Sequence, residues 1–294
     1  MMAAGGVAGF AVQGAVSGYA QGGNGSTDRV DKYAFTSDAN ATDVGNLSAA
    51  RQPYAGGASS THYYAQGGSN GNVVDKGAFA SDGDSTDVGN LTTTCGSAAG
   101  ASSGDNVYRS GGADSTTPGI TIDKTSVESD GDATDVGDLL GFRYGLAGTS
   151  SSTHGYVMAG YATGHGYQNV VQKFTFASNA NSSDVGNLTY SPERPSSNAS
   201  ETEYYTAGGH TGSYSNIIDK SDFASDDNST DVGDLLSATL GMSGTQSSTH
   251  GYWAGGSTGS TINVIQKEDY SSNGNSTDVA DLTASRHTNA GSQN

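Results

Sequence analysis

The chain carries one cysteine, Cys95, in 294 residues, so it forms no internal disulfide and implies neither an oxidising nor a reducing compartment. Cys95 reads as a small buried residue. Prolines number only 4, and no apolar run approaches the roughly 20 residues of a membrane-spanning helix, so membrane insertion is not expected. Residues 1–16 lack the basic start of a secretory signal and read as part of the first structural unit. Basic residues are scarce as well: 12 Lys and Arg stand against 30 Asp and Glu. The formal charge of −18 repels phosphate backbones and anionic lipid, which removes nucleic acid from the expected partners.

What the chain has in quantity is glycine, 45 residues, with Ser, Thr, Asn and Asp between short apolar runs. Such a composition suits many tight turns and suits helices poorly. Hydrophobic content is only 33%, yet 16 Tyr and 7 Phe recur at regular positions, as in a packed chain with a thin, repetitive core. The expected fold class is all-β.

Aligned on itself, the chain places Asp43, Asp87, Asp135, Asp184, Asp231 and Asp278 in one column, 44, 48, 49, 47 and 47 residues apart. Around each stands Thr-Asp-Val-Gly-(Asn/Asp)-Leu or a one-residue variant of it. All six lysines, Lys32, Lys76, Lys124, Lys173, Lys220 and Lys267, form a second column, on segments that alternate like strands with one wet face. Three residues later come Phe35, Phe79, Phe176, Phe223 and Tyr270. A third column holds Tyr19, Tyr64, Tyr108, Tyr156, Tyr205 and Tyr252, followed by paired glycines in five repeats and by Gly160 alone in the fourth. Each period thus offers four strands: a Gly/Ala/Ser-rich one such as 145–151, the Tyr strand, the Lys strand and the Asp-Val-Gly strand. Four short antiparallel strands in about 47 residues make one propeller blade.

The spacing predicts a single domain over residues 1–294, with blades at approximately 5–48, 49–92, 93–140, 141–189, 190–236 and 237–284. Small residues in the first strand suit the crowded region nearest the axis. Ring closure is open between two segments: the tail 285–294, which looks like another first strand, and Val7 to Gly14.

The run Leu139, Arg143, Gly145, Ala147, Gly155, Tyr156, Gly160 resembles the kelch repeat pattern, with an Asp-Val-Gly segment where kelch repeats carry tryptophan. That resemblance spans nearly the whole chain and implies a six-bladed kelch-like β-propeller. The wording of the repeat at residues 79–91, together with Ser-Ser-Thr-His-Gly-Tyr at 151–156, is similar to repeats in virion structural proteins of marine bacteriophages.

Three features stand out as sites. Thr-His recurs at His62, His154 and His250; zinc needs ligands about 2 Å from the metal, which alternate blades do not offer, so these histidines read as turn residues. Asp130, Asp132, Asp135 and Asp138 are the densest acidic set, but they miss the EF-hand spacing and read as Asx turns on an acidic rim. No metal or cofactor is expected. The loop after the Tyr strand is small and polar in most blades, such as 69–72, but carries Tyr161, His165, Tyr167, His210 and Tyr214 in blades four and five. Aromatic rings with hydroxyls nearby suit a sugar or protein partner.

No nucleophile elbow, metal motif or distinct carboxylate pair stands out, so the protein is not expected to be an enzyme. The phage resemblance implies a non-catalytic structural or host-facing component of the particle, a tail or surface protein located in the virion. Its implied partners are other virion proteins and a host surface glycan. The alternative is a free, extracellular carbohydrate-binding propeller.

Overall fold

The computed structural model describes residues 16–25, 27–69, 71–113 and 119–294; the segment 1–15, with the strand expected at Val7 to Gly14, and Asn70 of the 69–72 loop lie outside these. The described residues form six four-stranded antiparallel sheets and one small additional hairpin. Blade four shows the pattern, with strands Ala147–Ser150, His154–Met158, Val170–Thr175 and Ser183–Asn187 running from the axis outward. The protein is a six-bladed β-propeller.

The tail closes the ring. Ala290–Gln293 is the inner strand of blade one, antiparallel to Ser17–Gln21, with Gln21 opposite Ala290 and Gly18 opposite Gln293. Arg29–Ala34 and Thr42–Asn46 complete that blade, so the first and last described strands meet in one sheet.

The inner strands account for part of the glycine content. Gly56, Gly100, Gly148, Gly244 and Gly291 sit so close to the axis that a Cβ on any of them would overlap a backbone carbonyl of the neighbouring inner strand. Blade five has Ser197 at this position, and its hydroxyl donates to Gly148 O at 2.8 Å.

Between blades the contacts repeat around the ring. The Tyr column stacks on the aromatic column of the next blade: Tyr19 on Phe79, Tyr108 on Phe176, Tyr156 on Phe223, Tyr205 on Tyr270 and Tyr252 on Phe35, with ring centroids 4.7–5.1 Å apart. Burying such faces against each other is the main source of cohesion between otherwise thin sheets. Lys32, Lys76, Lys173 and Lys267 reach Asp82, Asp130, Asp226 and Asp38 of the following blade, and Lys124 reaches Asn179. Lys220 instead turns back to Glu203 of its own blade at 2.9 Å.

The Asn/Asp variation in the repeat motif is coupled between neighbours. The backbone N–H of Asn46, Asn90, Asp138, Asn187, Asp234 and Asp281 donates to the side-chain oxygen of Asp84, Asp132, Asn181, Asn228, Asn275 and Asn40, respectively, in the next blade. Two aspartates never face each other here; an Asp on either side meets an Asn. Opposed carboxylates repel, so the choice at one motif constrains the turn of the next.

Candidate functional site

One face of the ring carries the loops between second and third strands and the connections from each outer strand to the next inner strand. On that face blade four is elaborated by the extra hairpin Tyr161–Ala162 and Gly166–Tyr167, with Tyr161 opposite Tyr167. Its tip needs Gly164 and Gly166 in the left-handed region, at φ 83° and 78°.

Tyr161 and His210 occupy the same place in successive blades. Tyr161 pairs through its backbone with Tyr144, and His210 with Glu193, where blade three has Ala113 with Gly96 and blade six has Ser257 with Leu240. Blades four and five thus put rings where these neighbours have small residues.

The rings form one continuous row. Tyr144 contacts Tyr161 (5.5 Å between centroids), Tyr161 contacts Tyr167 (5.3 Å), Tyr167 contacts His210 (5.6 Å) and His210 contacts Tyr214 (5.7 Å), mostly edge to face. Tyr214, at the end, is 37% exposed, and the other four are half-buried. Tyr167 Oη lies 3.0 Å from His210 Nδ1, which also accepts the Gly212 N–H at 3.4 Å. A backbone N–H only donates, so Nδ1 faces Gly212 as an acceptor, and the Tyr167 hydroxyl is placed to donate to the same nitrogen. Burial first, then the Glu193 carboxylate, raises the Tyr144 phenol.

Of the five residues expected here, Tyr161, Tyr167, His210 and Tyr214 come together. His165 does not join them: it sits exposed at the hairpin tip, its backbone N–H bonded to Ala162 O and its carbonyl accepting from Gln168 Nε2. Tyr144 was absent from the sequence-based set. It lies in the connection leading into blade four, and only its variable counterparts Gly96, Glu193 and Leu240 hinted that this position is open to change.

The remaining sequence features are occupied by the fold. In the Thr-His turns, Thr61, Thr153 and Thr249 Oγ1 lie 2.7–2.8 Å from Nδ1 of His62, His154 and His250, and a turn serine accepts the histidine N–H. Burial, followed by the nearby lysine, lowers the His62 and His154 imidazoles. Asp130 takes Lys76, Asp132 takes Asn90, and Asp135 caps its own strand at Gly137 N–H. Among the described residues no three His, Cys, Asp or Glu side chains gather as a metal site.

No protein-family model matches this chain, and no curated protein matches it.

Proposed function

We propose that this protein is a non-catalytic binding propeller, serving as a structural or host-facing component of a phage particle and docking other virion proteins through the face of blades four and five. The observation that carries the binding reading is the aromatic row from Tyr144 to Tyr214, built where neighbouring blades hold small residues. Residues shared by the blades are occupied by strand caps and seam contacts, which leaves the repeat-breaking row as the surface for recognition. The phage setting rests on the resemblance of the repeat wording at residues 79–91 and 151–156 to repeats in virion structural proteins of marine bacteriophages. The formal charge of −18 favours protein or neutral glycan partners over nucleic acid.

A second reading, a free carbohydrate-binding propeller, is favoured by the half-buried tyrosine rings with a phenol and an imidazole edge beside them, an arrangement suited to a sugar ring. The experiment is quantitative mass spectrometry of density-purified particles from a lysate of a phage that encodes the chain. Peptides at a fixed stoichiometry to the other particle proteins are expected. Their absence from particles, with binding on a glycan array, would transfer the function to the second reading. On whichever partner is found, Tyr167→Ala with Tyr214→Ala is expected to weaken binding about tenfold or more, as aromatic anchors do.

A further inference from the structure

Blade six departs from the other sheets at one buried cross-strand pair. Directly opposed residues of the second and third strands combine a ring with a glycine or serine in four blades: Gly18 with Tyr33, Tyr63 with Gly77, Gly155 with Phe174 and Tyr204 with Ser221. Blade three uses Val107 with Thr125. Each ring needs its small partner, since a Cβ on Gly18, Gly77 or Gly155 would run into the opposing ring. In blade six the pair is Gly251 with Glu268. A carboxyl stands where another sheet would put a ring.

Glu268 is 3% exposed, and its Oε1 has no hydrogen-bond partner among the described residues. Directly opposed residues of neighbouring strands project to the same side, and Gly251 meets the Asn198 side chain of blade five, so Glu268 faces blade five. There the inner strand Ser196–Ala199 offers the neutral amide of Asn198, which crowds the vacant side of Gly251 and accepts the Tyr270 hydroxyl at 3.0 Å. The second strand of blade five, Glu203–Ala207, contributes Glu203 and Tyr205. The second strand of blade six, His250–Ala254, contributes His250, the strand of Glu268 itself carries Lys267 and Asp269, and Tyr270 follows it directly. Neither nearby lysine answers the carboxyl: Lys267 holds Asp38 of blade one, and Lys220 holds Glu203. Burial keeps the Glu268 carboxyl well above the ordinary carboxylate range. Tyr205 and Tyr270 are raised as well, by burial first and then by neighbouring carboxylates that include Glu268.

We propose that Glu268 is a proton-operated latch on the seam between blades five and six. Protonated, it packs in the closed seam in place of the missing ring; ionised, it is an unpaired buried charge that draws water in and loosens the two blades there. A cleft of about 530 Å³, lined by Glu203, His250, Asp269 and Tyr270, opens beside the same seam. The sign follows from the raised folded-state value. The latch is fully stabilising below the ordinary carboxyl value of 4.5, and its contribution is lost as pH rises through the higher value in the folded protein.

The test is amide hydrogen exchange between pH 5.5 and 8 on peptides covering 196–207 and 264–270, corrected for intrinsic chemistry and referenced to the seam between blades one and two. In the native chain, protection of the blade five to six seam is expected to fall with pH, by up to tenfold per unit as one proton is released. Glu268→Gln keeps His250 and every other titrating neighbour, and its seam is expected to stay flat across that range. Glu268→Met serves the same comparison if the Gln variant does not fold. A flat native profile, or the same slope in native and variant chains, overturns the latch.

Discussion

Gly100→Val is expected to lower stability by about 3 kcal/mol or more, because the new side chain has no space that a rotamer change could release. A Cβ at Gly100 would overlap the backbone of Gly56 in the adjacent inner strand, and Gly56 stands in the same relation to Gly291. Relief at one contact therefore presses on the next, around a ring already drawn tight. The position is one of five inner glycines in this environment, and the sixth place, Ser197, fits by hydrogen bonding to the carbonyl of Gly148. Gly100→Ser is accordingly expected to cost less than Gly100→Val. Gly141→Ala is the control: nothing lies within 4 Å of its added carbon, and its effect is expected to stay within about 0.5 kcal/mol. Urea unfolding of the three variants checks the ranking.

The second large effect is expected from Asp75→Ala, at about 3–5 kcal/mol, the usual result of stranding one member of a buried ion pair. Arg51 is 5% exposed and Asp75 fully buried; their ion pair measures 2.7 Å, and Asp75 also accepts the Ser48 N–H of the preceding blade at 2.9 Å. Asp31, Asp123 and Asp219 hold the same post in their blades, receiving Thr283, Thr92 and Thr189, and the first two are paired with Arg286 and Arg109. Removing Asp75 leaves the guanidinium with three backbone carbonyls and no counter-charge. Asp75→Leu with Arg51→Met is expected to recover most of the loss, since the charge leaves with its partner. Lys76→Ala, one residue away but paired with the exposed Asp130, is expected to change stability by less than about 1 kcal/mol. Equal losses from Asp75→Ala and Lys76→Ala would remove the buried pair from its structural role.

The columns of Asp, Lys and Tyr were legible in the sequence because each makes a contact that recurs in most blades, the Asp column within its own strand and the Lys and Tyr columns mostly across the seams, and recurrence is what self-alignment detects. Ring closure was not legible. Both ends of the chain carry small residues suited to an inner strand, and only the register of 290–293 on 17–21 decides between them. The Asn/Asp alternation at the end of the motif is visible in the sequence without its cause; the Asx side chain of the next turn is a partner about 40 residues away. The candidate site was legible in part. Sequence proximity grouped His165 with the rings, but the hairpin tip carries it outward, while Tyr144 belongs to a different loop that the fold returns to the same row. Glu268 carries no signal in a single repeat; it emerges only when the cross-strand pairs of all blades are set side by side.

The central claim is a ring of six blades closed by the chain's own last strand, and the most direct measurement is disulfide trapping of that closure. With Cys95→Ser removing the native thiol, Gln21→Cys and Ala290→Cys place two sulfurs on directly opposed residues of blade one. Mild oxidation is expected to give an intramolecular bond in the monomer, seen as a linked peptide pair, with the cross-linked ring resisting thermal unfolding better than the reduced form. Failure to oxidise in the folded state, or cross-linked dimers in place of monomers, would mean that this strand does not close its own ring.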